Sequence, residues 1–179
     1  MIITITGNAG SGKSSVAKLL AKKLSYRHYS AGDAQREIAL EKGITIAELG
    51  EIEAKDDAID RMIDEKMGEI CRREKDAVVD AWLGAYFAPH AVKIFLEADI
   101  DTRVRRRLGQ KRDEENFDDY EEAKRTMARR EETNRKRWID YYGFDYADTG
   151  NYDIVIRTDG LDVDAVVDEI IRKSGAKPA

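Results

Sequence analysis

Short β-branched runs alternate along this chain with longer stretches in which apolar residues recur every three or four positions. The runs predict strands at Ile2 to Thr6, Arg27 to Ser30, Ala77 to Asp80, Val92 to Leu96 and Asp153 to Arg157. After the first run, Val16, Leu19, Leu20 and Leu24 recur at helical spacing, which predicts a helix from Lys13 to Leu24. A charged helical stretch from Ala34 to Glu74, broken near Gly43 and Gly50, separates the second strand from the third. In it, Ile59 and Ile63 face inward, while Asp56, Asp57, Asp60 and Asp64 read first as a solvated acidic face, with reach to an exocyclic amine of a base as the alternative. An arginine-rich helical stretch separates the fourth strand from the fifth, and the tail past Lys173 is expected to fray. Strands alternating with helices give an α/β fold, here a five-stranded parallel sheet covered by helices on both faces. Both long insertions follow strand ends, where ligands of open α/β sheets bind.

Composition narrows this picture. At 179 residues and 42% hydrophobic, the chain fits one domain, 1–179, with a single buried core. No apolar run approaches the ~20 residues that span a bilayer, and the first residues enter a strand directly, so a soluble, cytoplasmic protein without a membrane partner is expected. One cysteine, Cys71, and two histidines, His28 and His90, form neither a disulfide nor a structural metal cluster. A net charge of −5 argues against a nucleic-acid partner. That charge is uneven: Arg103 to Arg137 holds thirteen Lys/Arg against nine Asp/Glu, a net of +4, which leaves −9 elsewhere. A cationic patch in an acidic protein suits a phosphate-handling lid.

The chemistry begins at Gly7 to Ser14, GNAGSGKS, which satisfies GxxxxGK[ST] between a strand and a helix start. In such a loop consecutive backbone N–H groups turn toward a polyphosphate, the lysine reaches its outer phosphates, and the hydroxyl binds Mg²⁺. Gly7, Asn8, Ala9, Gly10, Ser11, Gly12, Lys13, Ser14 and the adjoining Ser15 are therefore the candidate ATP site. Asp80, at the end of the third strand, is the acidic partner of Ser14 for the metal. Moving a phosphoryl group demands positioning and charge neutralisation, so convergent arginines are the next candidates. Arg36 follows Ser30 and Gly32 just past the second strand. Arg103, Arg106 and Arg107 share a helix face at i, i+3 and i+4, and Arg130, Asn134 and Arg137 share another at i, i+4 and i+7. Tyr86, Phe87, Trp138, Tyr141 and Tyr142 read first as core aromatics.

The loop, SAGDAQR from Ser30 to Arg36, VVDAWL at the third strand, KIFLEAD at the fourth, RREETNRKRWIDYYGFD from Arg129 to Asp145 and NYDIVIRTD beyond it together resemble the cytidylate kinase family, in its short-lid archaeal and bacterial form. The resemblance implies a nucleoside monophosphate kinase fold with an acceptor-binding insertion at about 34–74 and a lid at about 103–137. It implies transfer of the γ-phosphoryl of Mg·ATP to CMP or dCMP, by a monomer acting on small nucleotides. Ser30, Gly32, Arg36, Asp80, Trp82 and Asn134 would bind the acceptor. Lys13, Arg103, Arg107, Arg130 and Arg137 would act on the phosphates. Thr158 and Asp159 would lie near the adenine, and Leu108 to Tyr120 would form the lid. Three positions depart from the family pattern: Gln35 replaces an aromatic residue, Trp82 an arginine and Asn134 an acid. The residues therefore leave open a P-loop kinase for another small metabolite, or a nucleotide-binding switch without turnover.

Overall fold

The computed structural model describes residues 1–53, 56, 58–109 and 119–177. Five parallel strands, β1 (Ile2–Gly7), β2 (Arg27–Ser30), β3 (Ala77–Asp80), β4 (Val92–Glu97) and β5 (Ile154–Arg157), line up in the order β2-β3-β1-β4-β5. Each predicted strand is present, with ends that differ by one residue in β1, β4 and β5. β1 lies at the centre, buried along its whole length, with Ile5 opposite Asp80 of β3 and Gly7 opposite Leu96 of β4. Strand order reverses there, which opens a crevice beyond the carboxyl ends of β1, β3 and β4.

Alternate side chains of each strand enter opposite layers. Ile3, Ile5, Val78, Ile94 and Leu96 pack beneath α1 (Lys13–Leu24) and α8 (Val163–Ser174), through Val16, Leu20, Val167 and Ile170. Ile2, Ala77 and Val79 face α4 (Ala58–Arg73), through Ile63, Met67, Ile70 and Cys71. Farther along that side, Leu83 and Ala85 of the α5 region (α5, Gly84–Phe87) join Phe95, Trp138, Tyr146 and Tyr152 in an aromatic cluster. Trp138 comes from α7 (Tyr120–Tyr142), which packs across α6 (Ile100–Leu108) through Met127, Ala123 and Val104.

The insertion after β2 differs from its predicted form. Ser30 caps α2 (Ala31–Lys42) by accepting from the Asp33 N–H, so this helix starts three residues earlier than expected. The break at Gly43 is present, and Thr45 and Glu48 exchange hydrogen bonds in a capping box that opens α3 (Ile46–Glu53). No break occurs at Gly50, because α3 runs through it. Ile59 and Ile63 pack inward as expected. The acidic positions do not behave as a uniform solvated face: Asp56 is exposed, Asp60 is buried and Asp64 is half-buried. Asp57 lies outside the described residues, as does 110–118, most of the expected lid.

Candidate active site

A cavity of about 590 Å³ opens at the carboxyl ends of the strands, lined by the glycine-rich loop, the insertion, the β3 end and one face of α7. From the loop it takes Ala9, Gly10, Gly12, Lys13, Ser14 and Ser15, whereas Gly7, Asn8 and Ser11 do not line it. The backbone here needs glycine for two distinct reasons. Gly10 has φ +82°, and a Cβ on it would meet the Arg103 carbonyl oxygen at 2.6 Å; Gly12 has φ +93° and open space before it. Gly12 precedes α1, and no side chain caps the first N–H groups of that helix. Uncapped N–H donors beside Lys13 fit an anion, and the helix dipole favours one there.

Lys13 Nζ stands over the Trp82 indole, 5.6 Å from its centroid. Trp82 packs edge-on to Trp138 at 5.0 Å and against Tyr146 at 5.0 Å, so its ring plane is held by the aromatic cluster. Asp80, 3% exposed, shares the cavity with Ser14. Among the described residues no group of three or more His, Cys, Asp or Glu could enclose a metal ion. A hydroxyl and one carboxylate suit Mg²⁺, which keeps water and phosphate oxygens as its remaining ligands.

The predicted arginines divide. Arg36, Arg107, Arg130 and Arg137 line the cavity with Ser30, Gly32 and Asn134. Arg36 pairs with Asp33 one helical turn earlier, and Arg137 donates to Asn134 Oδ1 at 3.2 Å and pairs with Asp60 at 2.8 Å. Among the described residues its buried Nε has no hydrogen-bond partner, a donor left for a ligand. Arg103 is elsewhere: buried behind the loop, it pairs with Glu131 and donates to the carbonyls of Ala98 at 3.0 Å and Ala9 at 3.2 Å. Arg106 lines the cavity instead and ties Thr158 to the loop, donating to the Thr158 hydroxyl at 2.9 Å and its carbonyl at 2.5 Å. Thr158 and Asp159 do not line the cavity. The Thr158 hydroxyl lies 3.1 Å from the Ser11 carbonyl, and Asp159 accepts from the Asp99 N–H and from Arg157; a hydrogen bond with the Asp99 side chain foremost, then the Asp99 N–H, Thr102 and Arg157, hold its carboxyl at about 2.

The same cavity holds an acidic cluster that the periodicity assigned to solvent. Glu53, Asp60 and Asp64 line it beside Gln35, Leu49, Ile63 and Trp138. Burial pushes the Glu53 and Asp64 carboxyls up to about 7 each, with the neighbouring Asp60 charge pushing in the same direction. A signal for this existed in the sequence: Asp60, Ile63, Asp64 and Met67 fall at i, i+3, i+4 and i+7, so two acids sit on the apolar stripe of α4. Of the aromatic residues expected in the core, Tyr86 and Tyr141 are instead exposed at their edges, and Tyr142 reaches across from α7 to donate to Asp64 Oδ2 at 3.0 Å.

Two carboxyls raised in this way make folding depend on pH. In the unfolded chain they ionise near 4, in the native protein near 7, so the stability they contribute is whole below pH 4 and lost as pH rises through about 7. Asp64→Asn removes the charge and is expected to raise the Tm of the unliganded protein at pH 8 by roughly 5 °C, about 1–2 kcal/mol, and by much less at pH 4.5. Equal shifts at both pH values in a thermal melt would contradict a raised Asp64.

Residues 2–160 match the cytidylate kinase-like family. A cytidylate kinase of Ignicoccus hospitalis is 39% identical over 173 residues, covering 96% of this chain and 97% of that one. The cytidylate kinase of Haloarcula marismortui is 36% identical over 169 residues, covering 93% of this chain and 85% of the relative. Among solved structures, an uncharacterized protein from Eubacterium ventriosum superposes with a TM-score of 0.71 at 24% identity over 99% of both chains. A shikimate kinase from Bacteroides thetaiotaomicron reaches 0.69 at 16% identity over 98% of both. At those identities the structural likeness speaks for the fold alone. The sequence match, which runs from β1 to the turn after β5 and is shared with archaeal proteins at more than a third identity, carries the further conclusion that this chain belongs to the cytidylate kinase-like family.

Proposed function

We propose that this protein is an ATP-dependent nucleoside monophosphate kinase that converts CMP or dCMP to the diphosphate with Mg²⁺, acting as a cytoplasmic monomer. The observation that carries this reading is that one cavity joins the phosphate-binding loop to the β2 end, the insertion and the arginine face of α7. A phosphoryl donor and an acceptor held in this one cavity would meet among Lys13, Arg107, Arg130 and Arg137, all of which line it. ATP would supply the transferable phosphoryl and Mg²⁺ would offset its charge; the loop N–H groups, Lys13, Ser14 and Asp80 would hold them. Arg36, at the first turn of α2, would take the acceptor phosphate, with Asp33 keeping its guanidinium extended. No general base is needed, because an acceptor phosphate oxygen is already a nucleophile. Helices α2 to α4 would serve as the acceptor-binding insertion, and the segment from Arg103 to Arg137 as the lid and its base. Among the described residues no helix is long and apolar enough to cross a membrane.

Trp82 is compatible with this chemistry. The phosphate-side cations survive its presence, and an indole fixed by Trp138 and Tyr146 offers a flat wall to a base or ribose. The deciding assay is steady-state ADP formation from Mg·ATP with CMP, dCMP, UMP, AMP and GMP in turn, against a blank without acceptor. Turnover that depends on CMP or dCMP and exceeds the blank by two orders of magnitude or more is the expected result. ADP formation indifferent to every acceptor would leave a binding protein or a kinase of another metabolite.

A further inference from the structure

The backbone of the phosphate-binding loop is gripped from outside at Ser11. This residue is 1% exposed and lies between Gly10 and Gly12, both in left-handed conformation. Thr158, 2% exposed and next after β5, places its hydroxyl 3.1 Å from the Ser11 carbonyl and 3.2 Å from the Glu97 carbonyl. A hydroxyl has one proton to donate. The Glu97 carbonyl already accepts the Thr158 N–H at 2.8 Å, which leaves the hydroxyl proton for Ser11. Arg106 of α6 fixes that choice from the other side. It donates to the Thr158 hydroxyl at 2.9 Å and to the Thr158 carbonyl at 2.5 Å, and its Nη1 also reaches the Ser11 carbonyl at 3.4 Å. Residues from β5 and α6, far apart in the chain, thus meet on one peptide of the loop.

A trans peptide is planar, with its C=O and N–H pointing in opposite directions. A Ser11 carbonyl drawn back against Thr158 therefore turns the Gly12 N–H the other way, and Gly12 lines the cavity whereas Ser11 and Thr158 do not. Glycine tolerates many backbone orientations, so at Gly12 the orientation is set by what holds the carbonyl before it. We infer that Thr158 and Arg106 are positioning residues, which fix the Ser11–Gly12 peptide and keep the Gly12 N–H aimed at a phosphate of the donor nucleotide. The inference rests on the part of the kinase reading that puts a phosphoryl donor on this loop. A donor N–H fixed in advance needs no reorientation as charge develops on the phosphoryl group. Thr158 acts on the loop backbone and not on the nucleoside, and this distinction can be measured.

The test compares wild type with Thr158→Val, which keeps the shape and removes the hydroxyl, Thr158→Ser, which keeps the hydroxyl, Arg106→Met, and the Arg106→Met, Thr158→Val double variant. Thr158→Ala takes the place of Thr158→Val if the latter does not fold. Kinetics at saturating CMP give kcat/KM for Mg·ATP, and calorimetry without acceptor gives the affinities for ATP and for tripolyphosphate, which has no base. Thr158→Val is expected to lose roughly tenfold in kcat/KM and a like factor in affinity for both ligands, less than the loss of a whole donor because the N–H remains and is only misaimed. Thr158→Ser should recover most of that loss. The double variant should be no worse than the weaker single one, since both residues act on one peptide. A Thr158→Val protein that loses ATP but keeps tripolyphosphate would make Thr158 a contact of the nucleoside and overturn the inference. Wild-type behaviour in Thr158→Val, equal losses in Thr158→Ser, or single losses that multiply in the double variant would overturn it as well. If wild type binds ATP and turns over no acceptor, the kinase reading falls while the two affinities still decide the inference; if it binds neither ligand, both fall.

Discussion

Lys13→Ala is expected to lower acceptor-dependent kcat/KM by roughly 10²–10³-fold or more, the cost of removing one preorganised donor from charge that develops during transfer. Lys13 opens α1, so its position is set by the same turn that presents the uncapped N–H groups. Its ammonium is held over the Trp82 face and feels the Glu131 carboxylate, whose ionisation it favours. The side chain is only half-buried. The variant should therefore melt within a few degrees of wild type. Steady-state kinetics beside a thermal melt check both halves: a variant that keeps a tenth of the activity would remove Lys13 from the chemistry, and one that fails to fold would make its role structural.

Arg103→Ala should show the opposite split. Here the guanidinium and the Glu131 carboxylate are 7% and 15% accessible, and the arginine also bonds the Ala9 and Ala98 carbonyls. Burial already raises the Glu131 carboxyl, and Arg103 is the main influence drawing it back. Removing the arginine strands that carboxylate and frees the loop at Ala9, at a cost of about 3–5 kcal/mol. For a chain of this size that is roughly 10 °C or more in Tm. The Arg103→Met, Glu131→Leu double variant should recover most of it, because no charge is left unpaired. An arginine that worked on the phosphoryl group would instead give a normal melt with lost kcat, and that outcome would return Arg103 to the reacting centre.

These two residues mark how far the sequence can be read. The loop was legible because its chemistry is local: a strand, two glycines in left-handed conformation and a helix start are contiguous, and Lys13 and Ser14 follow from the turn itself. Arg103 was not, since its spacing from Arg107 identifies a helix face without saying what lies against it. Glu131, twenty-eight residues on, decides that the guanidinium turns behind the loop, while Arg106 and Arg107 of the same predicted face line the cavity. The acids of α4 were legible in part: their register sets them on the apolar stripe, but not what they meet there. It is α7 that crosses Asp60 and Asp64 with Arg137 and Tyr142. Glu53 carried no signal at all, because its environment is made by Gln35 of a different helix.

The sequence by itself determined the alternation of strand and helix, the parallel sheet and the phosphate-binding turn, for these depend on side-chain period and on backbone conformations that neighbouring residues dictate. Only the tertiary structure decided the order of the strands around β1, which arginines meet the cavity and which brace its wall, and that three carboxyls gather in that cavity. Charge pairing and burial are properties of groups brought together from distant parts of the chain, and a one-dimensional pattern records the groups without recording their partners.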